Sequence, residues 1–398
     1  MATNIHQQKI NEVLTRGVEK IYPDKKSLEK VLLSGKKIRL YCGFDPTEES
    51  LHIGNAIQIN KLAQFQELGQ EVIFLIGDFT GMIGDPTDKT SARKRLTREQ
   101  VLKNSKNYKK QASKFLKFSG KNQAKILSNS QWNDKISFKD LIEITSNFTV
   151  QQMIQRDMFQ ERMKQEKPVY LHEFLYPVAQ AYDSVAMNVD LEIGGSDQMF
   201  NMLCGRDLMM AMKQKEKFVL TNKLLEDTTG TKMGKSLGNV IWLNDSADEI
   251  YGKVMSWTDN MIILGFELCT QIAMQKIQEF KKQLKSDTFN PRDLKMKLAF
   301  EMVKLYTDQK QAQKAQEKFI SVIQKKETPE NILEFNLAGK NILDVLVESK
   351  IVATKSAARR LICQSGIKIN SKVIKNFEVQ VKSKDIIQKG KRFFVKIK

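Results

Sequence analysis

Two segments of the chain carry residue types that bind phosphate groups. The first is Leu51-His-Ile-Gly-Asn55, which follows an apolar stretch that ends near Tyr41. If a helix begins here, its backbone N–H groups and the imidazole of His52 face a bound anion, and Gly54 leaves room for a flat ring against the backbone. The segment therefore predicts part of a nucleotide-binding site.

The second phosphate-binding segment is residues 229–239, where Lys232 and Lys235 lie among small residues. A loop of this kind can close over a polyphosphate and place two cations against it. It is not a Walker loop, because the GxxxxGK[ST] spacing is absent. Together the two segments predict a nucleotide with several phosphates as a ligand.

A third group of polar residues has helical spacing. Tyr176, Gln180 and Asp183 stand at i, i+4 and i+7, which places all three side chains on one face of a helix. They are poor core residues, because a buried polar group without a partner costs about 1–3 kcal/mol. The spacing predicts the polar wall of a ligand pocket.

Polar residues also follow two predicted strands. Asp85 closes the glycine-rich segment 77–86 after the apolar run 72–76, where we expect it to meet a cationic ligand group. Asp197 lies in Gly194-Gly-Ser-Asp-Gln198, where Gly195 permits close approach of the backbone to a ligand. Its carboxylate can accept hydrogen bonds from ribose hydroxyls or an ammonium group.

The elements that must position these residues form a β-α-β unit. An apolar strand ends near Tyr41, Asp45-Pro46-Thr47 makes a turn, a helix carries His52 and Gly54, and the run 72–76 supplies the second strand. Such units close in the right-handed sense and bind ligands at the carboxyl ends of the strands. The pattern predicts an α/β protein with a Rossmann-like parallel sheet.

The length of 398 residues favours two or three domains. We expect a Rossmann-like domain at residues 1–245, which includes the lysine-bearing loop. A helical domain is expected at 246–330 and a small basic α+β domain at 331–398.

The chain has a net charge of +19, and its distribution is uneven. Residues 331–398 hold 15 Lys and Arg against 5 Asp and Glu, which is about half of the excess. Such a surplus predicts a polyanion partner, in the first place RNA, although a general preference for lysine would also produce it. Lys355, Arg359 and Arg360 fall on one face of a basic helix and are the candidate RNA-binding residues.

Several classes of protein and site are disfavoured. No apolar run approaches the roughly 18 residues of a membrane span, and the first residues lack a signal-peptide pattern. We therefore expect a cytoplasmic protein without a membrane partner. The four cysteines, at 42, 204, 269 and 363, form no CxxC pair, so neither a metal site nor a disulfide framework is predicted.

Four motifs, at residues 41–47, 51–55, 194–198 and 232–236, together resemble those of the bacterial tyrosyl-tRNA synthetases of the first synthetase class. Leu51–Asn55 is similar to the HIGH signature and Lys232-Met-Gly-Lys-Ser236 to the KMSKS signature. Tyr41-Cys-Gly-Phe-Asp-Pro-Thr47 and Gly194–Gln198 are typical of the tyrosine branch. The resemblance covers essentially the whole chain. It implies that the helical domain at 246–330 binds the anticodon, and it includes a C-terminal domain similar to a ribosomal RNA-binding module.

The resemblance implies that tyrosine and ATP form tyrosyl-adenylate and pyrophosphate, and that the tyrosyl group passes to the 3′-terminal adenosine of tRNA-Tyr. ATP would enter with Mg²⁺, no prosthetic group would be bound, and the protein would be a homodimer. The implied catalytic residues are His52, Asn55, Lys89, Arg93, Lys232, Lys235 and Ser236. Those for tyrosine are Tyr41, Asp85, Tyr176, Gln180, Asp183 and Gln198. Those for ATP are Cys42, Gly43, Asp45, Thr47, His52, Gly54, Asn55, Gly195, Asp197 and Lys235.

Within this resemblance, Tyr41 and Asp183 would bind the substrate phenol, and Asp85, Tyr176 and Gln180 its ammonium. A pocket built for a hydroxyl rejects phenylalanine because polar groups are left unpaired, and a tyrosyl-tRNA synthetase is the known example of this rule. The sequence departs from the family pattern at Asn55, Gly234 and Glu192. An amide would be unremarkable at position 192, and for the carboxylate of Glu192 we expect only a contact with a neighbouring basic group.

Two alternatives remain open at this point. A tryptophanyl-tRNA synthetase has similar signatures, although Tyr41 and Asp183 together favour a phenol. A synthetase-like RNA-binding protein without catalysis is disfavoured by the intact His52, Lys232 and Lys235.

Overall fold

The computed structural model describes residues 2–87, 95–226, 240–286, 289–321, 333–352, 354–390 and 393–398. These residues form two compact units. The first comprises Met1–Ser246 and Lys253–Tyr306, and the second comprises Ala247–Gly252 and Thr307–Lys398.

The first unit is built on a six-stranded sheet. Its strands are β1 (Val18–Tyr22), β2 (Arg39–Phe44), β3 (Glu71–Ile76), β4 (Lys125–Ser128), β5 (Leu191–Gly195) and β6 (Phe218–Asn222). Their order across the sheet is β1-β6-β5-β2-β3-β4. All neighbours are parallel except β1, which pairs antiparallel with β6. The predicted α/β class with a parallel sheet is therefore confirmed.

Helices α1 to α12 of the first unit connect and cover these strands. They are α1 (Ala2–Val13), α2 (Lys25–Leu33), α3 (Ile53–Glu67), α4 (Thr80–Ile83), α5 (Arg98–Ser105), α6 (Tyr108–Ala112), α7 (Ser130–Asn133), α8 (Phe138–Thr145), α9 (Val150–Ile154), α10 (Asp157–Lys164), α11 (Leu171–Met187) and α12 (Met199–Lys213). A 3₁₀ turn at Ser196–Gln198 joins β5 to α12.

Further along the chain, α13 (Ala247–Met255) spans residues of both units. It is followed in the first unit by α14 (Met261–Cys269), α15 (Met274–Gln283) and α16 (Pro291–Tyr306). Among the described residues, no helix is long and apolar enough to cross a membrane.

The predicted β-α-β unit is present as β2, α3 and β3. The two strands are parallel neighbours with Tyr41 opposite Ile73, and the run Val72–Leu75 is buried on both faces. Such continuous burial is typical of a strand inside a parallel sheet covered by helices. The unit directs the residues that follow β2 and β3 to one edge of the sheet.

One part of the secondary-structure prediction was wrong. The helical spacing of Ile10, Val13 and Leu14 predicts helix over residues 1–36, but β1 lies between α1 and α2. Val18–Tyr22 has little apolar periodicity, and its strand is formed by pairing with β6 about 200 residues later in the chain. A long-range contact of this kind overrides local preference.

The second unit contains α17 (Gln309–Phe319), α18 (Ile342–Glu348), α19 (Lys355–Cys363) and a five-stranded sheet. Its strands are β7 (Leu333–Phe335), β8 (Ile367–Ile369), β9 (Lys372–Val373), β10 (Ile386–Lys389) and β11 (Phe393–Ile397), in the order β7-β11-β10-β8-β9. Ile342, Leu346, Ile362 and Ile387 form part of its apolar core. The basic α+β module expected near the C-terminal end is therefore present.

Candidate active site

His52 begins helix α3 as its N-cap. Its Nδ1 accepts a hydrogen bond of 3.1 Å from the backbone N–H of Gly54, and the Asn55 side chain accepts one of 3.0 Å from the His52 N–H. Since Nδ1 is an acceptor here, the proton of a neutral ring lies on Nε2. His52 can therefore donate to an anion beside the positive end of α3.

Gly54 is needed for a reason that the sequence did not reveal. A Cβ at this position would lie 2.9 Å from Cε1 of His52 and 3.1 Å from its Nδ1. The absent side chain thus makes room for the imidazole of His52 itself, in addition to any ligand.

The segment that contains His52 pairs with residues that follow the lysine-bearing loop in the chain. The Ile53 N–H donates to Ile241 O at 2.9 Å, and the Leu243 N–H donates to Leu51 O at 2.8 Å. His52 and Trp242 also contact each other edge to face, with ring centroids 6.0 Å apart. This short antiparallel bridge holds 241–243 against the start of α3.

Asp183 on α11 is almost fully buried and accepts three hydrogen bonds from the β4–α7 segment. The donors are Trp132 Nε1 at 2.7 Å, Asn133 Nδ2 at 3.0 Å and Asn129 Nδ2 at 3.1 Å. Burial raises the pKa of Asp183 to about 7, although the three donors oppose this rise.

Tyr41 on β2 lies in the same polar cluster as Asp183. Its hydroxyl is 3.0 Å from Oγ of Ser184, the residue next to Asp183. Burial raises the pKa of Tyr41 well above its usual value, and the charges of Glu192 and Asp183 add to the rise. The two residues predicted to bind a phenol are thus close together, although no direct hydrogen bond joins them in this structure.

Asp45 lies at the carboxyl end of β2 and connects the two ends of the site. Its Oδ2 accepts from the Tyr176 hydroxyl at 2.8 Å, and its Oδ1 accepts from Thr80 Oγ1 at 2.6 Å. Thr80 Oγ1 in turn accepts from Asn129 at 3.0 Å, which also binds Asp183. A chain of hydrogen bonds therefore runs from Asp45 to Asp183 along the sheet edge.

Asp85 and Gln198 are brought together although they are far apart in the chain. Oδ2 of Asp85 accepts a hydrogen bond of 2.7 Å from Gln198 Nε2. Its Oδ1 accepts from the backbone and hydroxyl of Thr87. This fixes Gln198 with its oxygen directed to Asn201, which donates to it at 2.9 Å.

Glu192 on β5 does have a basic neighbour, as its sequence suggested. Lys217, directly before β6, forms a fully buried ion pair with Glu192 Oε2 and donates to Ser184 Oγ at 2.9 Å. The other carboxylate oxygen accepts from Gln180 Nε2 at 2.9 Å. Burial lowers the pKa of Lys217, and the adjacent carboxylate opposes this change.

The remaining nucleotide-binding candidates lie on β2 and β5 or within a few residues after them. Gly43 is exposed between buried neighbours, and the Thr47 N–H donates to Asp45 O at 2.8 Å. The Asp197 side chain packs against Gly195, and a Cβ at Gly195 would lie 2.5 Å from Oδ1 of Asp197. Cys42 is buried, and burial raises the pKa of its thiol, so the sulfur is protonated at neutral pH.

Five candidate catalytic residues lie outside the described part of the chain. They are Lys89, Arg93, Lys232, Lys235 and Ser236. Their roles stay predictions.

The RNA-binding candidates lie on α19 of the second unit. Ala358 and Ile362 face the core of that unit, while Arg359 and Arg360 are exposed. Lys355 is exposed as well and forms an ion pair with Asp344.

Five site residues were not predicted from the sequence as ligand-binding groups. Asn129, Trp132 and Asn133 follow β4, and their polarity at a strand end was the available signal. Thr80 and Ser184 gave no signal, because a threonine at a helix start and a serine on a helix are ordinary. No group of three or more His, Cys, Asp or Glu arranged to hold a metal is found among the described residues.

Comparisons with known proteins agree with this arrangement. The sequence model for class I tRNA synthetases (W and Y) matches residues 33–324, and that for the tyrosine–tRNA ligase SYY-like C-terminal domain matches 321–396. Tyrosine–tRNA ligase 2 of Clostridium acetobutylicum is 41% identical over 392 residues, which are 97% of each chain. The tyrosine–tRNA ligase of Thermotoga maritima is 40% identical over 97% of this chain and 96% of its own.

Solved structures show the same fold at lower identity. A C-terminally truncated mitochondrial tyrosyl-tRNA synthetase of Coccidioides posadasii superposes with a TM-score of 0.64 at 22% identity, over 80% of this chain and 95% of that chain. The tyrosyl-tRNA synthetase of Archaeoglobus fulgidus complexed with L-tyrosine gives 0.61 at 21% identity, over 78% and 99%.

The parallel sheet, the histidine-capped helix and the family match define a class I aminoacyl-tRNA synthetase of the tryptophan and tyrosine group. Within that group, the chain belongs to the tyrosine–tRNA ligase family. The predicted enzyme class is confirmed, and neither the tryptophanyl alternative nor the inactive RNA-binding protein is favoured.

Proposed function

We propose that the chain charges tRNA-Tyr in two steps. First, a carboxylate oxygen of L-tyrosine attacks the α-phosphate of ATP, the bond to the β-phosphate breaks, and pyrophosphate leaves. Next, a ribose hydroxyl of the 3′-terminal adenosine attacks the tyrosyl carbonyl, loses its proton, and releases AMP. Both steps need positioning and charge stabilisation, with no covalent enzyme intermediate.

The observation that carries this proposal is the buried polar cluster around Asp183 and Tyr41. Asp183 accepts three hydrogen bonds and, as a carboxylate, has about four acceptor sites. A phenol O–H can supply the fourth. A phenyl ring offers neither a donor nor an acceptor to this cluster, and an indole N–H can donate to Asp183 but cannot accept from Tyr41, so the cluster favours tyrosine over tryptophan and phenylalanine.

Three acceptors in the cleft suit the substrate ammonium. The Tyr176 hydroxyl donates to Asp45, so the oxygen lone pairs of Tyr176 can accept. Gln180 donates its amide N–H to Glu192, so its oxygen is the atom that can accept. The carboxylate of Asp85 supplies the charge. An ammonium has three N–H donors, which matches this number.

At the nucleotide end, we assign His52 and Asn55 to the phosphates and Gly43, Asp45, Thr47, Gly54, Gly195 and Asp197 to the nucleotide. Cys42 is also assigned to the nucleotide, whereas Gln198 is assigned to tyrosine. Lys89, Arg93, Lys232, Lys235 and Ser236 are assigned to the leaving pyrophosphate. Mg²⁺ would come with ATP as the ion that neutralises its phosphates.

The decisive experiment is amino-acid-dependent exchange of pyrophosphate into ATP. We expect exchange with tyrosine and little with tryptophan or phenylalanine. Absence of exchange with tyrosine, or equal exchange with tryptophan, would overturn the proposal.

The protein is further proposed to act in the cytoplasm as a homodimer with the three-domain division 1–245, 246–330 and 331–398. Large apolar side chains are exposed on α8, α9 and the start of α11, and a second copy is the proposed cover for them. Phe138 is 78% exposed, Leu171 79% and Val150 71%.

A charge on this surface should separate the subunits. We expect Phe138→Lys to lower the mass measured by light scattering from that of a dimer to that of a monomer. Leu102→Lys, at an exposed position on α5, is the matched control and should leave the mass unchanged. A wild-type chain with monomer mass would exclude the homodimer.

A further inference from the structure

Glu192 and Lys217 form an ion pair beneath the amino-acid cleft that the proposed reaction does not use. Lys217 is inaccessible to solvent and Glu192 is 2% exposed. The pair is made by the parallel register of β5 and β6, in which Glu192 lies opposite Val219. Each partner also binds a residue of α11: Glu192 binds Gln180, and Lys217 binds Ser184.

The carboxylate determines which way the Gln180 amide points. An ionised carboxylate only accepts hydrogen bonds, so Gln180 must direct Nε2 to Glu192, at 2.9 Å, and present Oε1 on the opposite side. A neutral amide at position 192 could donate or accept and would permit both orientations. The charge of Glu192 therefore selects the orientation that can accept from an ammonium.

The ammonium of Lys217 determines the direction of the hydrogen bonds at the other end of the cleft. It only donates, so Ser184 Oγ accepts from it at 2.9 Å and keeps its own hydrogen for a second partner. Tyr41 O lies 3.0 Å from Ser184 Oγ, whereas Glu192 Oε2 lies 3.4 Å away. The shorter contact favours donation from Ser184 to Tyr41.

If Ser184 donates to Tyr41, the hydroxyl hydrogen of Tyr41 is directed elsewhere, and the nearby carboxylate of Glu192 is one acceptor for it. The phenol oxygen of bound tyrosine can replace Glu192 as this acceptor, and the phenol then donates a hydrogen bond to Asp183, which lies in the same cluster. All the donors along Lys217, Ser184, Tyr41 and the substrate would point in one direction. A carboxylate at Asp183 ends the series because it only accepts.

Building on the proposed function, we infer that Lys217 and Glu192 are positioning residues that set the hydrogen-bond polarity of the tyrosine pocket at both ends. Glu192 orients the Gln180 amide toward the substrate ammonium. Lys217 acts through Ser184 to direct the Tyr41 hydroxyl toward the substrate phenol.

The test compares Lys217→Met, Glu192→Gln and the double variant E192Q/K217M. Each single variant leaves one buried charge unpaired and should lower the melting temperature strongly. The double variant carries neither charge and should regain most of the loss. The double variant therefore separates the effect of the ion pair on stability from its effect on the hydrogen-bond directions in the pocket.

The readouts are KM for tyrosine, KM for ATP and kcat in pyrophosphate exchange. In the double variant we expect KM for tyrosine to stay raised by roughly tenfold, the effect of about one misdirected hydrogen bond, with KM for ATP unchanged. Ser184→Ala, which removes only the connection between Lys217 and Tyr41, should raise KM for tyrosine in the same way. It should leave KM for phenylalanine unchanged.

Two variants of buried charges elsewhere in the first unit serve as controls. Lys61→Met removes a buried lysine that donates to the backbone of Val13 and Arg16, and Glu173→Gln alters a buried partner of Arg162. Both should lower stability without changing KM for tyrosine.

Recovery of the wild-type KM for tyrosine together with stability in the double variant would overturn the inference. So would an unchanged KM in Ser184→Ala. These outcomes would leave the proposed function intact, since wild-type exchange with tyrosine is measured in the same assay. If the wild-type chain shows no exchange with tyrosine, the proposed function is wrong and this inference is wrong with it.

Discussion

The indole Nε1 of Trp132 donates a hydrogen bond of 2.7 Å to Oδ1 of Asp183, across about 50 residues of sequence. This bond is one of three that keep a buried carboxylate partly ionised against the cost of its burial. The pKa of Asp183 therefore depends on residues of the β4–α7 segment, and tyrosine binding should depend on them too.

We expect kcat/KM for tyrosine to fall as the pH decreases below about 7. The pKa of Asp183 is raised to about 7, and protonation would remove the acceptor for the substrate phenol. The pH profile of pyrophosphate exchange measures this change. A flat profile between pH 6 and 8 would contradict the assignment of Asp183 to the phenol.

The same shift affects stability with a defined sign. Because the folded-state pKa of Asp183 exceeds its unfolded value of 3.8, its stabilising contribution is present at low pH and is lost as the pH rises through about 7. A bound phenol donates to the carboxylate and offsets this loss. Tyrosine should therefore raise the melting temperature more at pH 8 than at pH 6, and an equal shift would argue against phenol binding by Asp183.

Replacing Trp132 by Phe should move the acidic limb of the pH profile upward, by up to about one unit. The variant keeps a ring but removes a donor that lowers the pKa of Asp183. Trp257→Phe is a suitable control, since Trp257 Nε1 is buried without a hydrogen-bond partner among the described residues. An equal shift in both variants would exclude a specific role for Trp132.

Asp183→Asn should reduce kcat/KM for tyrosine by about 10- to 100-fold, the effect of losing a charged hydrogen bond of about 1.5–3 kcal/mol. The value for phenylalanine should change little, because that substrate has no hydroxyl. Steady-state kinetics with both amino acids measure the ratio. Equal losses for the two substrates would show that the substitution merely disrupts the cleft.

Gly54→Ala should lower kcat of tyrosine activation by at least about tenfold. The new Cβ would lie 2.9 Å from the His52 ring and would force it away from its position at the start of α3. Tyrosine binding measured by calorimetry should be unchanged, because His52 is assigned to the phosphates. A normal kcat would show that the His52 position is not critical.

Charge reversal on α19, as Arg359→Glu with Arg360→Glu, should lower kcat/KM for tRNA charging by at least about tenfold and leave pyrophosphate exchange unchanged. Phosphate contacts are the expected cause, so the difference should shrink as salt is raised. Lys372→Glu with Lys375→Glu, at exposed positions in the same unit, changes the net charge equally. Equal losses in both double variants would indicate a general charge effect and no specific role of α19.

Removal of residues from about 331 onward provides a broader test of the basic region. We expect tRNA charging to fall far more than tyrosine activation. If both fall equally, these residues are structural.

The sequence predicted the parts of the site that depend on local spacing. The face of α11 that carries Tyr176, Gln180 and Asp183 could be found because a helix fixes the relation of i, i+4 and i+7. The partners of these residues could not be found in this way. The Asp183 donors follow another strand, and Lys217 meets Glu192 only through the register of β5 and β6. Such contacts depend on the assembled sheet.

The bridge between 51–53 and 241–243 consists of backbone hydrogen bonds, so its geometry does not depend on which side chains occupy these positions. Many substitutions there should be tolerated, but a proline at Ile53 or Leu243 would delete a donor. The bridge also connects the His52 region to Ile241, which is only six residues beyond Lys235 in the chain. The stretch of chain between Lys235 and the bridge is therefore short. Insertions that lengthen it should lower the rate of tyrosine activation more than insertions of equal size in a distant surface loop.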